Sequence, residues 1–164
     1  MFKKLIPRMQ IKSIYEIPLA DLWQNGIRGI ITDLDNTLVG AKDPLATPEL
    51  IEWLKFVKNT GFKVVIVSNN HLGRVSTFSL PLDIPFIHGA RKPTIRAFRQ
   101  ALTLMNLSAS ETIVIGDQML TDVLGGNRMG LHTILVQPIS LRDEGIFTRF
   151  NRRLEKVFIA MRKQ

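Results

Sequence analysis

Two carboxylates separated by one residue, Asp33 and Asp35, close the apolar run Ile27–Leu34 within the string Asp33-Leu34-Asp35-Asn36-Thr37. Just past a buried strand, that spacing lets both acids converge on one ligand. A carboxylate in that position can attack phosphorus, which is the chemistry open to Asp33. Asp35 can protonate a leaving oxygen and later deprotonate an attacking water. The same five residues also suit an ordinary turn, where Asp and Asn hydrogen-bond nearby backbone.

Further strings bear on that choice. Ser68 ends the apolar stretch Lys63–Ser68, where its hydroxyl and the following N–H groups can hold a phosphate at a helix start. A plain N-cap is the alternative for Ser68. Lys92, in Ala90-Arg91-Lys92-Pro93, precedes another helix and can neutralise a phosphoryl oxygen, or can be a solvated surface charge. In Gly116-Asp117-Gln118-Met119-Leu120-Thr121-Asp122, Gly116 permits a tight strand exit and Asp117 offers Mg²⁺ an oxygen ligand. Asp122 can steady the ligands from behind, or simply favour a helix dipole. His71, His88 and His132 are scattered and have no metal-ligand spacing.

The elements that must position these residues alternate short apolar runs with helical stretches, the pattern of parallel α/β architecture. A short helix between Pro18 and Gly26 leads into the strand Ile27–Leu34. Thr47 as N-cap and Pro48 at the first position open a helix that Gly61 stops. Lys63–Ser68 is a strand, and His71 to Phe78 reads as a helix. Ile84–His88 is a short strand, and Pro93 opens a helix to Met105. Thr112–Ile115 is a strand, Leu120–Arg128 a helix, and His132–Val136 a fifth strand before Pro138. The expected fold is a three-layer α/β/α, Rossmann-like core on a five-stranded parallel sheet, built as one domain over residues 1–164.

Composition bounds the rest. The chain has 164 residues, 45% hydrophobic and 22% charged, the mix of a soluble globular protein. Its apolar runs are strand-sized, so no membrane-spanning helix is expected. Pro7, Arg8, Gln10, Lys12 and Glu16 interrupt any signal-peptide core after the basic start. Absence of cysteine excludes disulfides and thiolate metal sites and fits a cytoplasmic location. Lys and Arg outnumber Asp and Glu by 22 to 14, a net +8 that suits anionic surfaces, nucleic acid or acidic lipid alike.

Taken in order, the Asp-x-Asp-x-Thr loop, the Ser after the second strand, the Lys and the Gly-Asp-x(4)-Asp loop resemble the haloacid dehalogenase-like (HAD) phosphohydrolase superfamily. What the resemblance implies is Asp33 as nucleophile and Asp35 as acid and base, with Ser68 and Lys92 completing the catalytic set. Mg²⁺ would be held by the Asp33 side chain, the Asp35 main-chain carbonyl and Asp117. Thr37, Asn69, Gly116 and Asp122 would support the ion and the phosphate. At a finer level, Gly29–Val39, Val67-Ser68-Asn69-Asn70, Ala90–Pro93, Ile115–Gln118, Thr121–Arg128 and Thr148–Arg152 resemble the capless YqeG-type branch of subfamily IIIA. That branch is similar to mitochondrial phosphatidylglycerophosphate phosphatases, which implies dephosphorylation of phosphatidylglycerophosphate to phosphatidylglycerol at the cytoplasmic membrane face. Leu34 departs from some mitochondrial relatives, which carry Lys there.

Neither Thr37–Ser68 nor Ser68–Lys92 has room for a cap domain, so a large or surface-embedded phosphomonoester is favoured over a free metabolite. Arg91 is a candidate for the substrate's second phosphate, and Asn127 reads as a helix-end cap before Gly130. Residues 144–163 read as a basic amphipathic helix. Ile146, Phe147, Phe150, Leu154, Val157, Phe158 and Met161 share one face, against Arg149, Arg152, Arg153, Lys156, Arg162 and Lys163, with Glu155 the one acid. That composition suits a peripheral helix on anionic lipid, or a helix packed on its own sheet. Met1–Lys12 can act alongside it or be a frayed end. The competing readings are a phosphatase of another large substrate, nucleic acid or protein, a response-regulator receiver, and a basic RNA- or ribosome-binding module. A receiver places its phospho-acceptor after the third strand, unlike Asp33. Nucleic acid is the less favoured partner, because no stacking platform or recognition motif accompanies the charge.

Overall fold

The computed structural model describes residues 2–162, without the side chains of Phe2, Phe147, Met161 and Arg162. Its strands are β1 (Met9–Ile11), β2 (Gly29–Thr32), β3 (Lys63–Val67), β4 (Phe86–Ile87), β5 (Thr112–Gly116) and β6 (His132–Val136). Its helices are α1 (Leu19–Gln24), α2 (Pro48–Thr60), α3 (Leu72–Ser79), α4 (Ile95–Met105), α5 (Leu124–Met129) and α6 (Ile146–Arg162). The strands form one wholly parallel sheet in the order β1-β6-β5-β2-β3-β4.

Successive strand residues point to opposite faces, and both faces are apolar. Ile30, Val64, Ile66, Ile113 and Ile115 join one buried cluster with Leu50, Leu54 and Val57 of α2 and with Val75 and Phe78 of α3. Ile31, Val65, Val67 and Val114 join the other, against Ala97, Phe98, Ala101, Leu102 and Met105 of α4. Each large aliphatic side chain so buried contributes about 1.5–3 kcal/mol. α2 begins and ends as its residues dictate. Thr47 accepts the Leu50 N–H at 3.2 Å, and Gly61 closes the helix at φ 110°.

Six strands replace the expected five. β1 pairs in parallel with β6, Met9 opposite Ile134 and Ile11 opposite Val136. Three residues flanked by basic side chains carry too short an alternation to announce a strand. The leading segment is packed rather than frayed, because Asn127 donates to the carbonyls of Lys4 (2.8 Å) and Ile6 (2.9 Å). Asn127 therefore anchors the N-terminal segment instead of capping α5; Gly130, at φ 77°, ends that helix. The expected helix from Leu120 is a π-helical turn, Met119–Val123, followed by α5. No helix among the described residues is long and apolar enough to cross a membrane.

Candidate active site

β2 lies centrally, with β3 on one side and β5 on the other. Ligands of open parallel sheets bind beyond the carboxyl ends of strands at such a reversal of strand order. Asp33 follows β2, Ser68 follows β3 and Asp117 follows β5, so three distant stretches of chain deliver polar side chains to one edge.

The loop after β2 is tight. Asn36 adopts φ 62°, the left-handed region that Asn tolerates, and its N–H reaches the Val39 carbonyl at 2.7 Å. Asp33 and Asp35 thereby line the same cavity, of about 430 Å³, together with Ser68, Asn69, Asn70 and Lys92. Asp35 is held on one side of it: Asn70 Nδ2 donates to its Oδ2 at 2.8 Å and Arg74 Nε to its Oδ1 at 3.0 Å. Arg74 also donates to the carbonyls of Asp43 and Gly40, which locks its guanidinium.

Lys92 is the buried hub. Its Nζ lies 2.8 Å from Asp33 Oδ1 and 2.7 Å from Asp122 Oδ1, and 3% of its side chain is exposed. Burial works against its charge, but Asp122 and Asp33 together hold its pKa above the ordinary lysine value. The Lys92 backbone is gripped from Asn69, whose Oδ1 accepts the Lys92 N–H at 2.7 Å. Ser68 Oγ accepts the Asn70 N–H at 3.1 Å, bringing the turn after β3 to the cavity.

Asp122 receives the Gln118 N–H and the Thr121 hydroxyl, both at 3.3 Å on Oδ2, so its two oxygens are engaged by the protein. A Cβ on Gly116 would fall 2.1 Å from Asp122 Cγ, which is why glycine ends β5. Thr37 Oγ1 donates to Asp117 Oδ1 at 3.3 Å.

One oxygen each from Asp33, Asp117 and Asp122 lies within 4.8 Å of the others, all three residues being buried. Four carboxylates, those of Asp33, Asp117, Asp122 and Glu144, share two cations, Lys92 and Arg152. The carboxylates outnumber the cations, and a divalent cation would offset that surplus once Asp117 has given up its proton. The donors are all oxygens, the preference of Mg²⁺. The residues therefore fit that ion. The same surplus pushes Asp117 up to about 8, through burial first and then the charges of Asp33 and Asp122. Asp33 is also raised, chiefly by burial, against the pull of Lys92.

Sequence reasoning missed the contribution of the C-terminal segment. Arg152 of α6 pairs with Asp117 and Glu144, and its Nη1 donates to the Asp117 carbonyl at 3.2 Å. Glu144, Gly145, Thr148 and Asn151 wall the cavity. Glu155, buried, accepts the Leu120 N–H at 3.1 Å. Arg152 and Glu155 were legible as charges on an amphipathic face, but no local signal says that this face turns inward. Arg74 was likewise hidden inside a helix with nothing to single it out. Arg91 is exposed, at φ 55°, and its side chain is not among those that line the cavity. Of the expected apolar stripe and basic face, the side chains of Phe147, Met161 and Arg162 are not described, and Lys163 lies outside the described residues.

Residues 2–79 match the family model for mitochondrial phosphatidylglycerophosphate phosphatase, and residues 89–138 match a HAD-hydrolase-like model. Over its whole length the chain is 52% identical to "Probable phosphatase YqeG" of Bacillus subtilis (strain 168), covering 95% of that protein. It is 27% identical, over 92% of its length, to phosphatidylglycerophosphate phosphatase 1, chloroplastic/mitochondrial, of Arabidopsis thaliana, and spans 46% of that longer protein. Among solved structures, the cobalt-bound deoxy-D-mannose-octulosonate 8-phosphate phosphatase of Haemophilus influenzae superposes with a TM-score of 0.57 at 18% identity. That match covers 77% of this chain and 74% of the other.

Proposed function

The chain belongs to the HAD-like phosphatase family, and on that premise we propose that it hydrolyses a phosphomonoester through a phosphoryl group carried on Asp33, with phosphatidylglycerophosphate as substrate and Mg²⁺ as cofactor. The observation that carries the chemistry is the meeting of Asp33, Lys92, Asp117 and Asp122 beside Asp35. An RNA- or ribosome-binding module needs only exposed cations. It would leave this buried cluster, costly to desolvate, without a purpose.

The ester phosphate docks between Asp33 and the Ser68–Asn70 turn, whose hydroxyl and N–H groups orient its oxygens. The Asp33 carboxylate attacks phosphorus in line, forming a new P–O bond as the bond to the leaving alkoxide breaks. Lys92 neutralises charge on the phosphoryl oxygens, and Asp35, aimed by Arg74 and Asn70, gives its proton to the leaving oxygen. Asp35 then takes a proton from water, which attacks phosphorus and releases inorganic phosphate from Asp33. Asp33, Asp117 and the Asp35 main-chain carbonyl would hold Mg²⁺, whose positive charge would let an anionic nucleophile approach an anionic ester. Asp122 has both oxygens engaged, so it serves as the support for Lys92.

The lipid assignment is supported by the likeness to the plant phosphatidylglycerophosphate phosphatase and by a cavity with no inserted cap domain over it. The protein then works as a peripheral enzyme on the anionic cytoplasmic face of the membrane. The test is phosphate release from a panel of lipid and nucleotide monoesters with and without Mg²⁺. Phosphatidylglycerophosphate is hydrolysed in the presence of the metal alone. Good turnover of a soluble ester with that lipid left intact discards the substrate.

A further inference from the structure

α6 is turned the opposite way from most surface helices. Its polar residues Thr148, Asn151, Arg152 and Glu155 point inward, lining the cavity or bonding to Asp117 and Leu120. Four of its apolar residues face out: Ile146 is 84% exposed, Phe150 58%, Val157 54% and Leu154 37%. At 100° per residue these four fall within one quadrant, with Arg149, Arg153 and Lys156 beside them, also exposed. The single acid of the helix, Glu155, is buried on the other side, so the outward face carries no negative charge. Exposed Lys3 and Lys4 lie on a turn that packs against the same Met119–Val123 segment as α6.

We propose that the outward face of α6 is a docking surface for an anionic lipid bilayer, so that one helix closes the catalytic cavity with its polar face and seats the protein on the membrane with its apolar face. An exposed apolar stripe bordered by cations and free of acids is complementary to the headgroup and acyl boundary of such a bilayer. Nucleic acid would use the cations but would gain nothing from Ile146, Phe150 and Val157. The inference rests on the lipid-phosphatase reading for its purpose, while binding itself is independent of turnover.

The experiment is co-sedimentation of the full chain with phosphatidylcholine vesicles, with and without added phosphatidylserine, which is neither substrate nor product. Three proteins are compared: wild type, Phe150→Ser with Val157→Ser, and Arg149→Gln with Arg153→Gln and Lys156→Gln. Wild type sediments with the anionic vesicles and not with pure phosphatidylcholine. The apolar variant loses binding, and the charge variant binds about 100-fold more weakly, the loss of three basic groups at an anionic surface. Both retain wild-type turnover of p-nitrophenyl phosphate, which shows that they are folded. Sedimentation of the apolar variant equal to wild type overturns the proposal, as does binding to RNA with none to vesicles. Vesicle binding without lipid phosphatase activity would sink the substrate assignment and leave the docking surface standing.

Discussion

Arg152, on the C-terminal helix, binds Asp117 at the end of β5 through both the main-chain carbonyl and the carboxylate of that residue. The contact lets a helix with no chemistry of its own govern the charge of the candidate metal site. It also ties α6 to a cavity over which the described residues place no cap domain.

Replacing Arg152 with Gln removes the cation from a largely buried carboxylate pair. The loss of stability is about 1–3 kcal/mol in chelator. Mg²⁺ restores charge balance, so it raises the melting temperature of the variant by more than it raises that of wild type. Thermal melts with Mg²⁺ and with chelator check this, and equal shifts would remove Arg152 from the account of the metal site.

The raised pKa of Asp117 gives a pH dependence of definite sign. Between 3.8 and about 8, the native state keeps a proton that the unfolded chain has released. In chelator, this group's contribution to stability is full at low pH, falls as pH rises through that window and levels off above it. Metal binding expels the proton, so Mg²⁺ affinity rises with pH over the same range. Calorimetry in two buffers of different ionisation enthalpy reads the proton released, and none released at pH 7 contradicts it.

Asp33→Asn keeps the shape of the proposed nucleophile and removes its charge. Phosphate release falls by about 10³-fold or more. Lys92 retains Asp122, so the melting temperature changes little by comparison. Turnover near the wild-type rate would mean that Asp33 is not the residue attacked.

Gly116→Ala drives a methyl group into Asp122, which cannot swing away without releasing Lys92. The expected cost is about 1–3 kcal/mol, with a parallel loss of turnover. The denaturant midpoint measures the first and phosphate release the second.

Arg74→Met frees Asp35 from its guanidinium partner. A fall in kcat of roughly 10–100-fold is expected with KM little changed, less than the roughly 10²–10⁴-fold of losing a general acid outright, because Asp35 itself remains. Arg74→Lys does not restore it, because an ammonium cannot reach Asp35 and two backbone carbonyls in the same fork. Full rescue by Lys would reduce Arg74 to a plain counter-charge.

Much of the molecule was legible in the order of its residues. Continuous apolar runs at 64–67, 113–115 and 134–136 demand a sheet buried on both faces. Asp33, Asp35, Ser68, Lys92 and Asp117 sit where such strands end, so strand direction alone sends them to one edge. Local chemistry also spelled out α2, through Thr47, Pro48 and Gly61. Pairing and facing were decided by the tertiary structure. Met9–Ile11 becomes a strand because β6 presents an open edge and Asn127 holds the approach to it. The periodicity of α6 defines two faces but cannot say which turns inward. That was settled by the buried carboxylates of Asp117 and Glu144, whose need for a cation outweighs the burial of Phe150 and Val157. A charge left unpaired in a protein interior costs more than an apolar side chain left in water.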